Sequence, residues 1–146
     1  FGISPQGTLS GNEKQSADVQ TWGQTAGYCD YLLPQLYFGF QNSTAPFAET
    51  AAFWAEQVTC PDVSLWIGIC TYKIGQQDTW AGDGMTEWQT DSQVVSKELE
   101  LLCNMDGIDG AAIYDYASTF QPESSVSEIL SSERDAIQVL LQTPAN

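Results

Sequence analysis

The residues of this chain whose types could do chemistry follow two apolar, strand-like segments. One segment ends in an amide and a phenol two positions apart, which the period-two geometry of a strand places on one face. The other runs into a loop of glycines, carboxylates and aromatic side chains. Aromatic faces pack on the C–H faces of a sugar ring, while amides and carboxylates bind its hydroxyls. We therefore predict a saccharide-binding surface made by Gln35, Tyr37, Tyr72, Lys73 and Trp80.

Each of these candidates has a plainer structural interpretation. Tyr37 and Tyr72 could close the rim of a packed sheet with their hydroxyls in water. Lys73 could neutralise a buried carboxylate, contact an acidic sugar or remain solvated. Trp80 has the strongest functional case, because a tryptophan in a glycine-rich polar loop has no obvious core to fill. The remaining tryptophans are interpreted as core residues: Trp22, Trp54, Trp66 and Trp88.

Two carboxylates, Glu87 and Asp115, are the local candidates for acid–base catalysis. Asp115 lies near the end of the last strand-like segment, and Glu87 follows the loop that contains Trp80. Glycoside hydrolysis requires two carboxyl groups in different roles, so either residue could supply one of them. For Glu87 we favour a structural role. Asp78 and Asp83 lie close to glycines and are interpreted as turn residues rather than metal ligands.

The composition excludes several classes of function. The chain has 146 residues, 19 acidic against 4 basic, with no histidine and a formal charge of −15. Such a surface repels nucleic acid and anionic lipid, and the lack of imidazole removes Ser-His-Asp triads and most zinc sites. We expect no cofactor and no metal. No apolar run reaches the roughly 20 residues of a membrane-spanning helix.

The four cysteines show no CxxC spacing and are interpreted as free thiols, with one disulfide as the alternative. They are Cys29, Cys60, Cys70 and Cys103.

Short apolar segments alternate with helical patterns along the chain. The predicted strands cover residues 1–5, 31–38, 65–72 and 110–116. The last three carry apolar residues on both faces, which is typical of a parallel sheet covered on both sides. Apolar residues recur at three- and four-residue steps over 47–58, 95–102 and 126–141, and a weaker helix over 17–26 is interrupted by Gly23.

The resulting order is β-α-β-α-β-α-β-α, with the longer loops at 39–45 and 74–90. Both loops follow the carboxyl ends of strands, where α/β folds bind their ligands.

Four sequence blocks, taken together and in order, resemble the C-terminal half of the bacterial glycoside-hydrolase-like family 10 proteins. They are Phe-Gly-Ile-Ser-Pro at 1–5, Tyr-Leu-Leu-Pro-Gln-Leu-Tyr-Phe-Gly-Phe at 31–40, Tyr-Lys-Ile-Gly at 72–75 and Asp-Thr-Trp-Ala at 78–81. The resemblance implies a (β/α)8 barrel, often exported, that acts on bacterial glycans such as denuded peptidoglycan strands. Residues 1–146 would then be a single partial domain, four consecutive βα units holding barrel strands five to eight.

The sequence also departs from that family's pattern. Gln6 stands where an apolar residue is usual, Gly11 stands where a basic residue often precedes the asparagine, and the last strand is more acidic. The family's acidic pair follows strand four in an Asp-Asp-Tyr context, and no matching segment exists here, so no catalytic residue is carried over.

The sequence reads as part of a longer protein, and the resemblance implies a location outside the cytoplasm or at the cell surface. We expect its partners to be a glycan and either the missing N-terminal half-barrel or a second copy of the chain. The isolated chain is expected to be inactive. Two other functions stay open, a non-catalytic glycan-binding half-barrel and an acidic protein-interaction module.

Overall fold

Four parallel strands form the centre of the structure. The computed structural model describes residues 1–142. The strands pair side by side in chain order: β1 (Gly2–Ile3), β2 (Tyr31–Leu32), β3 (Ser64–Cys70) and β4 (Gly110–Tyr114). Each adjacent pair is parallel. The predicted α/β class and parallel sheet are confirmed, and the architecture is compatible with part of a (β/α)8 barrel.

Helices separate and follow the strands. They are α1 (Leu9–Lys14), α2 (Val19–Gln24), α3 (Phe47–Gln57), α4 (Glu87–Thr90), α5 (Val94–Cys103), α6 (Tyr116–Phe120) and α7 (Ser127–Gln142). The helical patterns in the sequence correspond to α2, α3, α5 and α7. The other three helices have only four to six residues, too few for a 3.6-residue period to be visible. Among residues 1–142, no helix is long and apolar enough to span a membrane.

The strands are shorter than the sequence predicts, most clearly β2, which was expected to cover 31–38. Pro34 has no N–H group and interrupts the regular ladder. The chain nevertheless continues between its neighbours, because Leu33 N donates to Ile3 O and Leu36 N donates to Gly68 O, both at 2.8 Å. The backbone of residues 33–36 thus extends the sheet towards the site without forming regular strand.

The helices cover one face of the sheet and form the core there. Leu32, Leu65, Ile67 and Ile69 are at most 1% exposed. The helix side of this core includes Phe47, Ala51, Trp54, Val95 and Leu102. Burial of these apolar side chains is the main stabilising contribution to the fold.

The opposite face of the sheet is uncovered, which corrects the expectation that Trp66 is a core residue. Side chains paired in register lie on the same face of a parallel sheet, and Trp66 pairs with Gly110 while Tyr31 pairs with Ser64. Trp66 is 40% exposed and Tyr31 is 41% exposed. Trp54 and Trp88 are buried as predicted, and Trp22 packs partly buried against the core.

All four cysteines are free thiols, as favoured from the sequence. Cys29, Cys60 and Cys70 are buried and serve as small core side chains, whereas Cys103 is exposed.

Candidate functional site

A cavity of about 600 Å³ lies beyond the carboxyl ends of β1, β2 and β3. Four of the five predicted binding residues line it, namely Gln35, Tyr37, Lys73 and Trp80. Asn42 from the loop after β2 and Asp78 from the loop after β3 also line it, and further polar side chains are Gln6, Thr8 and Thr44. The loops after β2 and β3, which the sequence analysis predicts to carry the ligand site, therefore both line one cavity.

A second cavity of about 510 Å³ shares Gln35 and Tyr37 with the first. The fifth predicted residue, Tyr72, lines it together with Ser4 and Tyr114. All five predicted residues are thus gathered at one edge of the sheet. Tyr114 was not among the candidates, although the pairing of β4 with β3 brings it opposite Cys70 at that edge.

Three tyrosines make a cluster in this second cavity. The ring centroids of Tyr37 and Tyr72 are 5.9 Å apart, those of Tyr37 and Tyr114 are 5.8 Å apart, and those of Tyr72 and Tyr114 are 6.1 Å apart. Burial raises the pKa of Tyr72 to about 12 and also raises the pKa of Tyr37. The phenols of Tyr37 and Tyr72 are therefore neutral at physiological pH and can donate hydrogen bonds.

Lys73 is engaged within the protein. Its ammonium donates to Asp78 Oδ2 at 2.7 Å and to the carbonyl of Tyr37 at 2.6 Å. The Lys73 and Asp78 side chains are only 19% and 5% exposed. Of the interpretations left open by the sequence, the contacts support neutralisation of a buried carboxylate. Asp78 is accordingly more than a turn residue.

Asp78 also fixes the start of the loop segment that carries Trp80. Its Oδ1 accepts a hydrogen bond from Trp80 N at 3.2 Å, and its backbone N–H donates to Met85 O at 2.9 Å. Trp80 itself is 88% exposed. The indole is therefore presented to solvent from a backbone that is anchored on both sides.

Glu87 is buried and has a structural set of contacts. Its two carboxylate oxygens accept hydrogen bonds from the backbone N–H groups of Phe40 and Gln41, each at 2.9 Å. Glu87 is 3% exposed and does not line either of the two cavities described above. We therefore do not retain it as an acid–base candidate, in agreement with the structural role favoured from the sequence.

Asp115 begins α6 as its N-cap residue. Its Oδ1 accepts hydrogen bonds from Ser118 N and Ser118 Oγ, both at 2.8 Å. These hydrogen bonds lower the pKa of the Asp115 carboxyl. Asp115 is thus held as a carboxylate, which suits a nucleophile, a base or a charge stabiliser and does not suit a proton donor.

One further residue of the first cavity escaped the sequence analysis. Asn42 is buried, and its Oδ1 accepts hydrogen bonds from Thr44 N and Ala45 N at 2.9 Å each. The sequence signal for it is an asparagine directly before Ser43 and Thr44, a pattern in which the asparagine side chain binds nearby backbone amides. Within the part of the chain that the structure describes, no three cysteine or carboxylate side chains converge as a metal site would require.

Comparison with known proteins finds similarity to glycosyl hydrolase-like proteins. The sequence profile of the glycosyl hydrolase-like 10 family matches residues 1–82. The chain is also 28% identical over 150 aligned residues to proteins named "Glycosyl hydrolase DigH" from Escherichia coli K12 and Shigella flexneri. These alignments cover 90% of this chain and 33% of each relative, so the chain spans about a third of their length.

The profile match includes β1, β2, β3 and the first part of the loop that carries Trp80. It spans more than half of the 146 residues and contains all twelve residues that line the first cavity. This chain belongs to the glycosyl hydrolase-like 10 family.

Proposed function

We propose that this chain forms the glycan-binding wall of a glycoside hydrolase that acts on bacterial glycans such as peptidoglycan-type strands. The observation that carries the proposal is Trp80, which is 88% exposed beside the cavity of about 600 Å³. An indole this exposed at the lining of a cavity can pack its face on the C–H face of a sugar ring. Membership of a glycosyl hydrolase-like family supports the same assignment.

The polar groups beside Trp80 match the hydroxyl groups of a sugar. Gln35 Nε2 is hydrogen-bonded to Ser4 O and Ser4 Oγ at 3.3 Å each, so the carbonyl oxygen of its amide is the acceptor offered to a ligand. The neutral phenols of Tyr37 and Tyr72 are donors. Because Lys73 is paired with Asp78, its ammonium supports the wall and is not the group that binds substrate charge.

For the chemical step, we propose Asp115 as the carboxylate that this chain contributes. Like Glu87, Asp115 lines neither of the two cavities, but it directly follows Tyr114, which lines the second. Its lowered pKa fits the ionised one of the two carboxyl groups that glycoside hydrolysis requires. The protonated partner and the rest of the barrel would come from the remainder of the protein, since the relatives are about three times longer. The family assignment is also compatible with our proposal that the protein acts outside the cytoplasm or at the cell surface.

Binding of chitohexaose and of denuded peptidoglycan strands to the full-length gene product tests the proposal. We expect Trp80→Ala to weaken binding by about tenfold, the value of one lost aromatic contact. Tyr28→Ala is the matched control, because Tyr28 is 52% exposed and lines neither cavity. Unchanged affinity in Trp80→Ala would overturn the proposal and favour a protein-interaction module.

A non-catalytic glycan-binding role is the second candidate. It is favoured by the observation that Glu87 and Asp115 both hold backbone amides. Hydrolysis of the same strands separates the two candidates, because a glycan-binding protein without activity would bind them and release no reducing ends.

A further inference from the structure

The loops that follow β2 and β3 are joined by one buried carboxylate. Glu87, at the first position of α4, accepts hydrogen bonds from two consecutive amides of the loop after β2, Phe40 N and Gln41 N. A carboxylate has an oxygen for each amide, and both hydrogen bonds are charge-assisted. The contact therefore ties the element that follows Trp80 to the segment that leads into Asn42.

The two loops also approach each other too closely to shift independently. A side chain at Gly39 would place its Cβ 2.0 Å from Glu87 Oε2, and one at Gly84 would place it 2.4 Å from the backbone of Gln41. Ser43 N donates to Ala81 O at 3.0 Å, next to Trp80. Three contacts thus connect the loop after β2 to the segment after β3, and both of these contribute residues to the first cavity.

We propose that Glu87 is a positioning residue that presets the distance between Trp80 and the Asn42 side of the glycan-binding cavity. The inference rests on the proposed function, because it assigns Glu87 to the cavity in which Trp80 is expected to bind a sugar. A cavity wall that is fixed before binding loses less conformational freedom when the ligand arrives, so the Glu87 contact contributes to affinity without touching the glycan.

The structure contains a matched control for this contact. Glu133 on α7 accepts hydrogen bonds from the consecutive amides Val95 N and Ser96 N, again at 2.9 Å each. Glu133 is 1% exposed, and its carboxylate contacts the first turn of α5. It lines neither of the two cavities. The two glutamates therefore make the same hydrogen bonds, and only one of them connects the loops of the cavity.

The experiment compares Glu87→Gln with Glu133→Gln in the full-length gene product. A glutamine has one acceptor oxygen and would turn its NH2 group towards the second amide, so both variants should lose thermal stability. With chitohexaose as the binding probe and denuded peptidoglycan strands as the kinetic substrate, we expect Glu87→Gln to raise Kd and KM about fivefold with kcat unchanged. Glu133→Gln should leave Kd and KM within about twofold of the wild type.

Equal affinities in the two variants would overturn the inference, as would a fall in kcat with KM unchanged in Glu87→Gln. If Glu87→Gln does not fold, Glu87→Asp replaces it, because a side chain shorter by one methylene keeps the charge and cannot keep both amide contacts of 2.9 Å without a shift of the loops. An unchanged Kd in Glu87→Asp would overturn the inference. Trp80→Ala, measured alongside, separates the two proposals: if it alone weakens binding, the positioning role fails and the glycan-binding wall stands.

Discussion

At the residue scale, Lys73 illustrates how a side chain beside a cavity can act through its neighbours. Its ammonium holds the carboxylate of Asp78, and Asp78 in turn holds the backbone of Trp80. The sequence placed Lys73 in the strand-to-loop segment but could not decide what the ammonium contacts, because Asp78 is reached only through the fold of a five-residue turn. The contact explains why a cation is present in so acidic a chain.

We predict that Lys73→Met destabilises the protein by about 3 kcal/mol, because it leaves Asp78 buried without its cation. Lys97→Met is the control. Lys97 pairs with Asp91 in a largely exposed position, with side chains 48% and 27% exposed, so its loss should cost less than about 1 kcal/mol. Urea unfolding measures both free energies of unfolding, and equal losses would contradict the prediction.

Glu98 is the most unusual titratable residue of the structure. It is fully buried on α5, and neither carboxylate oxygen has a hydrogen-bond partner within residues 1–142. Burial, together with the charges of Glu133 and Glu87, holds its pKa well above the usual range, against an opposing contribution from Lys73. The sequence contained a signal for this burial, since Glu98 lies three residues after Val95 and four before Leu102 on the apolar side of the predicted helix.

The raised pKa fixes the sign of a pH dependence. Between about pH 4.3, where an unfolded glutamate titrates, and its raised folded pKa, Glu98 binds more protons in the native state, so stability falls as pH rises. We predict that Glu98→Gln matches the wild type near pH 5 and becomes more stable than it by pH 8. Urea unfolding at several pH values tests this, with the exposed Glu100→Gln as control. A constant difference across pH would contradict it.

At the element scale, the longer periodic elements could be predicted and the short irregular ones could not. The helices α3, α5 and α7 follow apolar stripes in the sequence, whereas α4 and α6 have four and five residues. Single side chains mark the starts of both short helices: Asp115 caps α6, whereas Glu87, the first residue of α4, binds amides of the loop after β2. The sequence analysis names the same two residues as acid–base candidates, because the sequence does not distinguish a carboxylate that binds backbone amides from one that acts in catalysis.

Asp115 allows the cap and the proposed catalytic role to be separated. Asparagine caps helices as well as aspartate does, whereas alanine costs about 1 kcal/mol at an N-cap. We predict that Asp115→Ala loses both stability and hydrolysis in the full-length gene product. Asp115→Asn should keep its stability and lose hydrolysis by at least about 100-fold.

Thermal unfolding and reducing-end release from denuded strands measure the two properties. A fully active Asp115→Asn variant would show that Asp115 is only the cap of α6, and the carboxylate proposal would be withdrawn.

At the scale of the whole molecule, the sheet has one covered and one uncovered face. The sequence predicted a sheet buried on both sides, because apolar residues occur at both parities of the strands. The helices cover the side of Leu65 and Ile67, while Tyr31, Trp66 and Tyr114 are 40% to 55% exposed. The pattern thus predicted the burial that a complete barrel would give. A sequence pattern reports which faces avoid water, and it does not report which segment covers them.

The uncovered face leads to a prediction for the 146-residue chain on its own. A complete (β/α)8 barrel takes about 250 residues, and its strands face a packed interior. Leaving aromatic surface in water costs roughly 25 cal/mol per Å², so a cover for Tyr31 and Trp66 is strongly favoured. We propose that the rest of the protein provides it, and that a second copy replaces it when the chain is isolated. Light scattering should therefore find dimers or larger species, and the preparation should not hydrolyse glycans.

Two tryptophans make that prediction specific to the sheet face. Trp66→Gln removes apolar surface from the uncovered face and should shift the isolated chain towards the 16.0 kDa monomer. Trp80→Gln removes a more exposed indole from a loop outside the sheet and should leave the association unchanged. If instead Trp80→Gln converts the assemblies to monomers, the copies associate through the cavity loops and not through the sheet face. A folded wild-type monomer would refute the requirement for a cover, because the exposed face would then be stable in water. Hydrolysis by the isolated chain would refute the expectation that it is inactive.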